Sequence, residues 1–160
     1  MGSTSDLPVM EKACKWLDDN EIPFEVNALS AHRTPDAVEA FAKGAQERGI
    51  KVIIAAAGMA AALPGVIAAS TNLPVIGVPI KGMLDGLDAM LSIIQMPPGI
   101  PTATVGVNAA QNAAILAAQI IGLSDSAVAA KVAAHKDGLG AKIEKANKDL
   151  AEVKYNFKTN

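Results

Sequence analysis

The sequence predicts a doubly wound parallel α/β protein, and three observations carry that expectation. Segments with helical spacing alternate with short apolar runs, in the order helix and then four strand–helix units. The run Val52 to Ala56 is continuously apolar, as a parallel strand buried on both faces should be. Gly and Pro punctuate the intervals, and no internal repeat or low-complexity linker breaks the order. At 160 residues the chain is one domain with room for a large core.

Gly2-Ser3-Thr4-Ser5-Asp6 is a turn-rich opening, with Asp6 placed to cap a helix running to about Asn20. Val9, Met10, Ala13, Trp16 and Leu17 form its apolar face, while Glu11, Lys12, Lys15 and Asp18 face water. Phe24 to Leu29 reads as a strand. A helix follows from Pro35 to about Arg48, with Thr34 as its cap, Pro35 at its first position and Gly49 as its stop. After Val52–Ala56 come a helix from about Ala61 to Ser70, a strand from Pro74 to Val78, and a short helix from Leu87 to about Ile94. Gln95 to Pro101 holds three Pro and a Gly and is irregular. Thr102 to Val107 is the last expected strand, and Ala109 to Ile121 a helix without charge.

From Ser124 the pattern changes. Val128, Val132, His135, Leu139, Ile143, Ala146, Leu150 and Val153 recur every three or four residues among charged neighbours, giving an amphipathic tail helix. Gly138 and Gly140 are expected to kink or interrupt it. Residues 1–123 thus form the α/β core, and residues 124–160 a helical tail packing on that core or on a neighbouring subunit.

Composition excludes several classes of function. A net charge of −2 argues against a nucleic-acid or anionic-membrane surface, and three Phe, one Trp and one Tyr make no stacking platform. One Cys and two His cannot build the usual structural zinc sets, and Cys14, on the apolar side of its helix, reads as a buried, inert thiol. No secretory pattern opens the chain, which places it in the cytoplasm. Between Val52 and Ser124 the only charges are Lys81, Asp85 and Asp88. Pro and Gly cut this stretch into pieces too short to span a bilayer, so its apolar surface must be covered otherwise. Burial between subunits is the expected solution.

In an open parallel sheet, ligands bind beyond the carboxyl ends of the strands. Three segments fall there. Gly2–Asp6 offers small residues, hydroxyls and a carboxylate, and its rival reading is an ordinary helix cap. Ser30-Ala31-His32-Arg33-Thr34-Pro35 sets a hydroxyl, an imidazole and a guanidinium beside a helix start, a combination suited to an anion and a proton transfer. Its rival is a capped helix start with two solvated polar residues. Ala57 to Gly65 has side chains small enough for a flat ring to approach the backbone, or for tight helix–sheet packing. No P-loop, dinucleotide fingerprint, H-E-x-x-H or G-x-S-x-G motif is present. The proton carrier is therefore His32 or an isolated Asp, with His135, in the tail's apolar stripe, taken as structural. The residues by themselves lead to a small-molecule site for an anion.

Met1–Asp6, Ser30–Pro35, Ala61–Gly65, Leu73–Pro79, Leu91–Pro97, Gly99–Pro101 and Asn112–Ala118 resemble, in order and over nearly the whole chain, the class I N5-carboxyaminoimidazole ribonucleotide mutases of purine biosynthesis, the PurE family. The resemblance implies a three-layer α/β/α, flavodoxin-like fold assembled as a homo-octamer, with sites at subunit junctions. It also implies a reaction without metal or cofactor, in which a carboxylate moves from the exocyclic N5 of an aminoimidazole ribonucleotide to ring carbon C4. His32 matches the family's proton carrier. By the same match Ser3, Ser5 and Asp6, with Ser30 and Arg33, would hold the ribose phosphate, and Ala31 would also contact the substrate. Gly58, Met59, Ala60 and Leu63 would bind the base and carboxylate.

Three departures stand out. The family has an apolar strand ahead of the Gly-Ser turn, whereas here Met1 directly precedes Gly2, so the first strand of the pattern is missing. Ala62 stands where many members have His, and Met59 and Ala56 each replace a family Gly. The rival functions are a carboxylase using free CO2 with the unmodified aminoimidazole, and a nucleotide-binding relative without turnover.

Overall fold

Side-chain alternation along one strand sorts the molecule into two apolar layers. The computed structural model describes residues 1–160. In β1 (Ile53–Gly58), Ile53, Ala55 and Ala57 enter a core with Val38, Ala42, Leu63 and Ile67, while Ala56 enters a second core with Met10, Ala13, Trp16 and Leu17. Strand β2 (Val75–Ile80) is buried throughout and runs parallel to β1, from Ile53 opposite Val75 to Gly58 opposite Ile80. On its other side, β3 (Ala103–Thr104) adds two parallel pairs, Ile76 with Ala103 and Gly77 with Thr104.

Helices cover both faces, so the architecture is the expected α/β/α. Helices α1 (Leu7–Asp19) and α5 (Ala110–Gly122) share one core; α2 (Pro35–Gly44), α3 (Leu63–Ala69) and α4 (Leu87–Ile94) share the other. The chargeless α5 buries Ala110, Ala113, Ala114, Ala117 and Ala118, small residues that bring it close to α1. On the opposite face Gly77 makes room for α4: a Cβ there would lie 2.3 Å from Ile93 Cγ2.

The expected strand Phe24–Leu29 joins no ladder of the sheet. Its neighbour is only the stub Met1–Gly2. The Met1 ammonium donates to Asn27 O at 3.0 Å, Leu29 N–H to Met1 O at 2.9 Å, and Gly2 N–H to Ala56 O at 3.2 Å. The stub therefore sits between this segment and β1. Thr102–Val107 likewise contracts to Ala103–Thr104. Val105 makes one further bond to Gly77 O at 3.2 Å before Asn108, at φ 57°, turns the chain away.

Two expected caps act differently. Asp6 and Thr34 occupy N-cap positions without a side-chain cap bond; the Thr34 hydroxyl instead closes on Ser30. Helix α2 ends at Gly44 rather than near Arg48, and Gly49 completes the turn at φ 84°.

The tail helix α6 (Ser126–Glu152) is capped by Asp125, which accepts from Ala127 N–H at 3.0 Å and Val128 N–H at 3.1 Å. Contrary to an expected interruption, it runs through Gly138 and Gly140. Nothing lies within 4 Å of a Cβ built at either position, so no packed neighbour forces a kink. Its first turns dock: Val128 and Val132 pack on the α1/α5 core, and Trp16 Nε1–H donates to His135 Nδ1 at 3.1 Å. Leu139, Ile143 and Leu150 are exposed. Cys14 is half-buried, and burial pushes its thiol up, in keeping with an inert role. No helix is long and apolar enough to cross a membrane.

Gly77→Ala is expected to force Ile93 out of its place under α4 and to lower stability by about 1–3 kcal/mol, read as an earlier midpoint in urea denaturation.

Candidate functional site

The three segments singled out in the sequence meet at the carboxyl end of β1, and Gly2 joins them. Its N–H donates to Ala56 O on β1, and its carbonyl accepts from Arg33 Nη2 at 2.8 Å. The first segment is thereby held against both the second and the third.

Within the first segment a short 3-10 turn, Thr4–Asp6, follows Ser3, whose Oγ accepts from Ser5 N–H at 3.2 Å. Ser5 Oγ reaches Asp6 Oδ1 at 3.4 Å. The second segment is a closed turn. Ser30 N–H donates to Thr34 Oγ1 at 3.0 Å, and Thr34 N–H to Ser30 O at 2.8 Å. Ser30 Oγ accepts twice from Arg33, from its backbone N–H and its Nε, each at 3.2 Å. Arg33 thus spends two side-chain contacts on positioning itself, and a guanidinium carries five N–H donors. The remainder are free for an oxyanion. His32, at the crest of the turn, is exposed and makes no hydrogen bond to protein. Its imidazole is free to exchange a proton with a ligand. Ala31 is half-buried beside it.

In the third segment Gly58 ends β1, and a Cβ there would lie 3.4 Å from Ile80 O, so the strand ends stay close. Met59 has φ 57° and is 63% exposed, while Ala60 is exposed. Leu63 differs from its neighbours: its side chain is in the core, 3% exposed, which leaves its backbone as the part able to meet a ligand. Ala62, half-buried, presents only a methyl group.

The sequence did not single out what stands at the end of the adjoining strand. Lys81 follows Ile80, the partner of Gly58, and its N–H donates to Asn108 Oδ1 at 2.8 Å. Asn108 N–H in turn donates to Pro79 O at 2.8 Å. A lysine is thereby fixed by its backbone on the same edge of the sheet, its Nζ 3.0 Å from Asp85. The signal available in the sequence was an Asn between a strand and a helix, a residue that tolerates the left-handed region. No three His, Cys, Asp or Glu side chains gather as a metal site would need. The arrangement is an open platform with a guanidinium, several hydroxyls and one free imidazole. It suits an anionic small molecule and a proton transfer.

The chain was compared with known proteins. A family model described as AIR carboxylase matches residues 1–142. A relative from Pyrococcus abyssi, named N5-carboxyaminoimidazole ribonucleotide mutase, is 54% identical over 140 residues, covering 87% of this chain and 80% of its own. One of the same name from Thermotoga maritima is 50% identical over 156 residues, covering 97% of this chain and 91% of its own. A Saccharomyces cerevisiae protein named phosphoribosylaminoimidazole carboxylase is 57% identical over 133 residues, but these are 23% of its length. Among solved structures, Treponema denticola PurE superposes with a TM-score of 0.82 at 30% identity, over 94% of both chains.

Met59 carries a side chain in a backbone conformation that costs an L-residue roughly 1–2 kcal/mol. Met59→Gly is expected to relieve that strain and raise stability by about 1 kcal/mol, a Tm increase of about 2–4 °C, since its exposed side chain contributes little packing. Thermal unfolding followed by circular dichroism reads it.

Proposed function

The chain belongs to the AIR carboxylase family, and on that premise we propose that it is an N5-carboxyaminoimidazole ribonucleotide mutase of purine biosynthesis. The observation that carries the reading at the site is His32, exposed and unpartnered in the turn whose Arg33 is tied to Gly2. The ribose phosphate takes the free N–H groups of Arg33 with Ser3, Ser5, Asp6, Ser30 and the Ala31 backbone. The base and carboxylate lie against Gly58, Met59, Ala60 and the Leu63 backbone.

The chemistry balances with one proton. The carbamate N–C bond breaks, releasing CO2, as His32 protonates the N5 nitrogen. Ring carbon C4 attacks the CO2, and His32 removes the C4 proton, restoring the imidazolium with which the cycle began. The steps need a proton carrier and a dry compartment that retains CO2.

One chain provides the platform without walls. The apolar side chains Met59, Met83, Leu84, Leu87 and Leu91 are exposed, a surface suited to contact with further copies. We therefore read the functional form as a homo-octamer in the cytoplasm, with residues 1–123 as the catalytic body. In residues 124–160 the tail docks on that body as far as His135, and its outer apolar positions cover a neighbour.

The test is conversion of N5-carboxyaminoimidazole ribonucleotide to the C4-carboxylated isomer, followed by ultraviolet absorbance without added metal or bicarbonate. Turnover is expected. His32→Asn should abolish it, by at least about a thousandfold, while nucleotide binding persists. A requirement for bicarbonate with the unmodified aminoimidazole would establish the carboxylase instead, and binding without turnover in the parent chain would establish a non-catalytic relative. Arg33→Lys keeps the charge but loses the planar fork, and is expected to raise KM about tenfold with kcat within about twofold. A fall in kcat with KM unchanged would remove Arg33 from phosphate binding.

A further inference from the structure

Helix α6 grips the end of α1 at two points one turn apart. At the first, Lys131 Nζ donates to Asn20 O at 2.6 Å and stands 3.4 Å from Glu21 Oε2. Asn20 in turn donates through Nδ2 to Trp16 O at 2.7 Å, which ties Trp16 to the same contact. At the second, four residues after Lys131, His135 Nδ1 accepts from Trp16 Nε1–H at 3.1 Å, and the two rings stand nearly perpendicular, at 88°. Past His135 every residue of α6 from Lys136 to Glu152 is exposed, Leu139, Ile143 and Leu150 among them. His135 is thus the last half-buried residue of the helix, and its bond sets the direction in which the rest of the tail leaves the body.

The second point holds in one protonation state only. An indole N–H donates and cannot accept, so His135 Nδ1 must offer its lone pair, and the neutral ring carries its proton on Nε2. An imidazolium has N–H at both nitrogens, and two donors would then face each other across 3.1 Å. The indole presents its N–H edge, the positive part of an aromatic ring, so no cation–π attraction replaces the lost bond. Lys131, one turn away on the same face of α6, adds like-charge repulsion once His135 is charged. The groups around the ring leave the imidazole as the one that switches. Helix α5, packed along α6, carries no titratable side chain. On α1, Lys12 and Asp19 stand one turn either side of Trp16, Asp19 lies 3.6 Å from exposed Lys15, and burial pushes the Cys14 thiol up. Glu21 is paired with Lys131, and on α6 itself Lys136 and Asp137, both exposed, follow His135. We propose that Trp16 and His135 form a pH-operated latch, closed while His135 is neutral and opened by its protonation, so that α6 from His135 onward comes free of α1 as pH falls. Its contribution to docking is full above the imidazole range and lost below it. The latch owes nothing to the catalytic assignment, since neither residue belongs to the three site segments.

Trp16 is the chain's only tryptophan, so its fluorescence reads the latch directly. In the full chain, emission is expected to titrate in one step between about pH 5 and 8, the range of histidine side chains. Across that step, hydrogen exchange at residues 133–140, relative to the unprotected rate at each pH, should become about fivefold faster on the acid side. Exchange in α5 should not change. His135→Gln keeps an acceptor that does not titrate, so emission and exchange should both stay flat through this range. His32→Asn removes the only other imidazole and should leave both changes in place. Flat emission in the parent chain would overturn the proposal, as would a step that survives in His135→Gln. So would emission that titrates without faster exchange at 133–140, which would mean that the ring changes charge while the tail stays docked. Exchange that quickens equally in α5 would also overturn it, as a general loosening of the body.

Discussion

Gly2 is the joint on which the site depends. Its amide is bonded to β1 and its carbonyl to the Arg33 guanidinium, so two backbone atoms of one residue align three pieces of chain far apart in sequence. A hydrogen bond to a charged donor contributes about 1.5–3 kcal/mol, more than a neutral one, and this one also fixes the Arg33 side chain. Ser30 completes the arrangement by accepting from both the backbone and the side chain of Arg33. Because these bonds orient Arg33 before any ligand arrives, less side-chain freedom remains to be lost on binding.

Met1 and Gly2 bond to Asn27 and Leu29 on one side and to Ala56 on the other, so Phe24–Leu29 meets the sheet only through these two residues. This accounts for the behaviour of Phe24–Leu29. Its composition suits a strand, yet strand structure is a property of pairs, and five consecutive amides here have no partner. Phe24 and Val26 are consequently exposed, at 42% and 50%, although both are apolar. The turn beginning at Ser30 continues directly from this segment.

What the sequence disclosed, and what it withheld, follows from the range of the interactions involved. β1, β2 and the helices were legible because burial on two faces or on one stripe writes a periodicity into the chain. The convergence of Gly2–Asp6, Ser30–Pro35 and Gly58–Leu63 was legible because parallel strands place their carboxyl ends on one edge. Details set by a single competing contact were not. Thr34 has the chemistry of a cap, but its hydroxyl finds Ser30 first. Leu63 falls within the third candidate segment, yet its side chain enters the core with residues of β1 and α2. Gly138 and Gly140 lower helix propensity by about 1 kcal/mol each, which is not enough to break a helix anchored by the Asp125 cap, Val128, Val132 and the Trp16–His135 bond. Asn108 and Lys81 escaped notice because their arrangement depends on the ends of two strands at once.

The exposure of His32 bears on the chemistry as much as on access. An imidazole in bulk water would exchange its proton freely, and CO2 released on an open platform would diffuse away before C4 could capture it. The proposed reaction thus requires walls that this chain, taken alone, does not have. Met59, Met83, Leu84 and Leu87 are exposed, flexible or branched apolar groups of the kind that seal a subunit contact. A stretch with only Lys81, Asp85 and Asp88 as charges supplies them, and the proposed assembly would account for both the scarcity of charge and the openness of the site. In that assembly a second copy would exclude water from the first, and the apolar surface that is a liability to the monomer would form the lid of the reaction chamber.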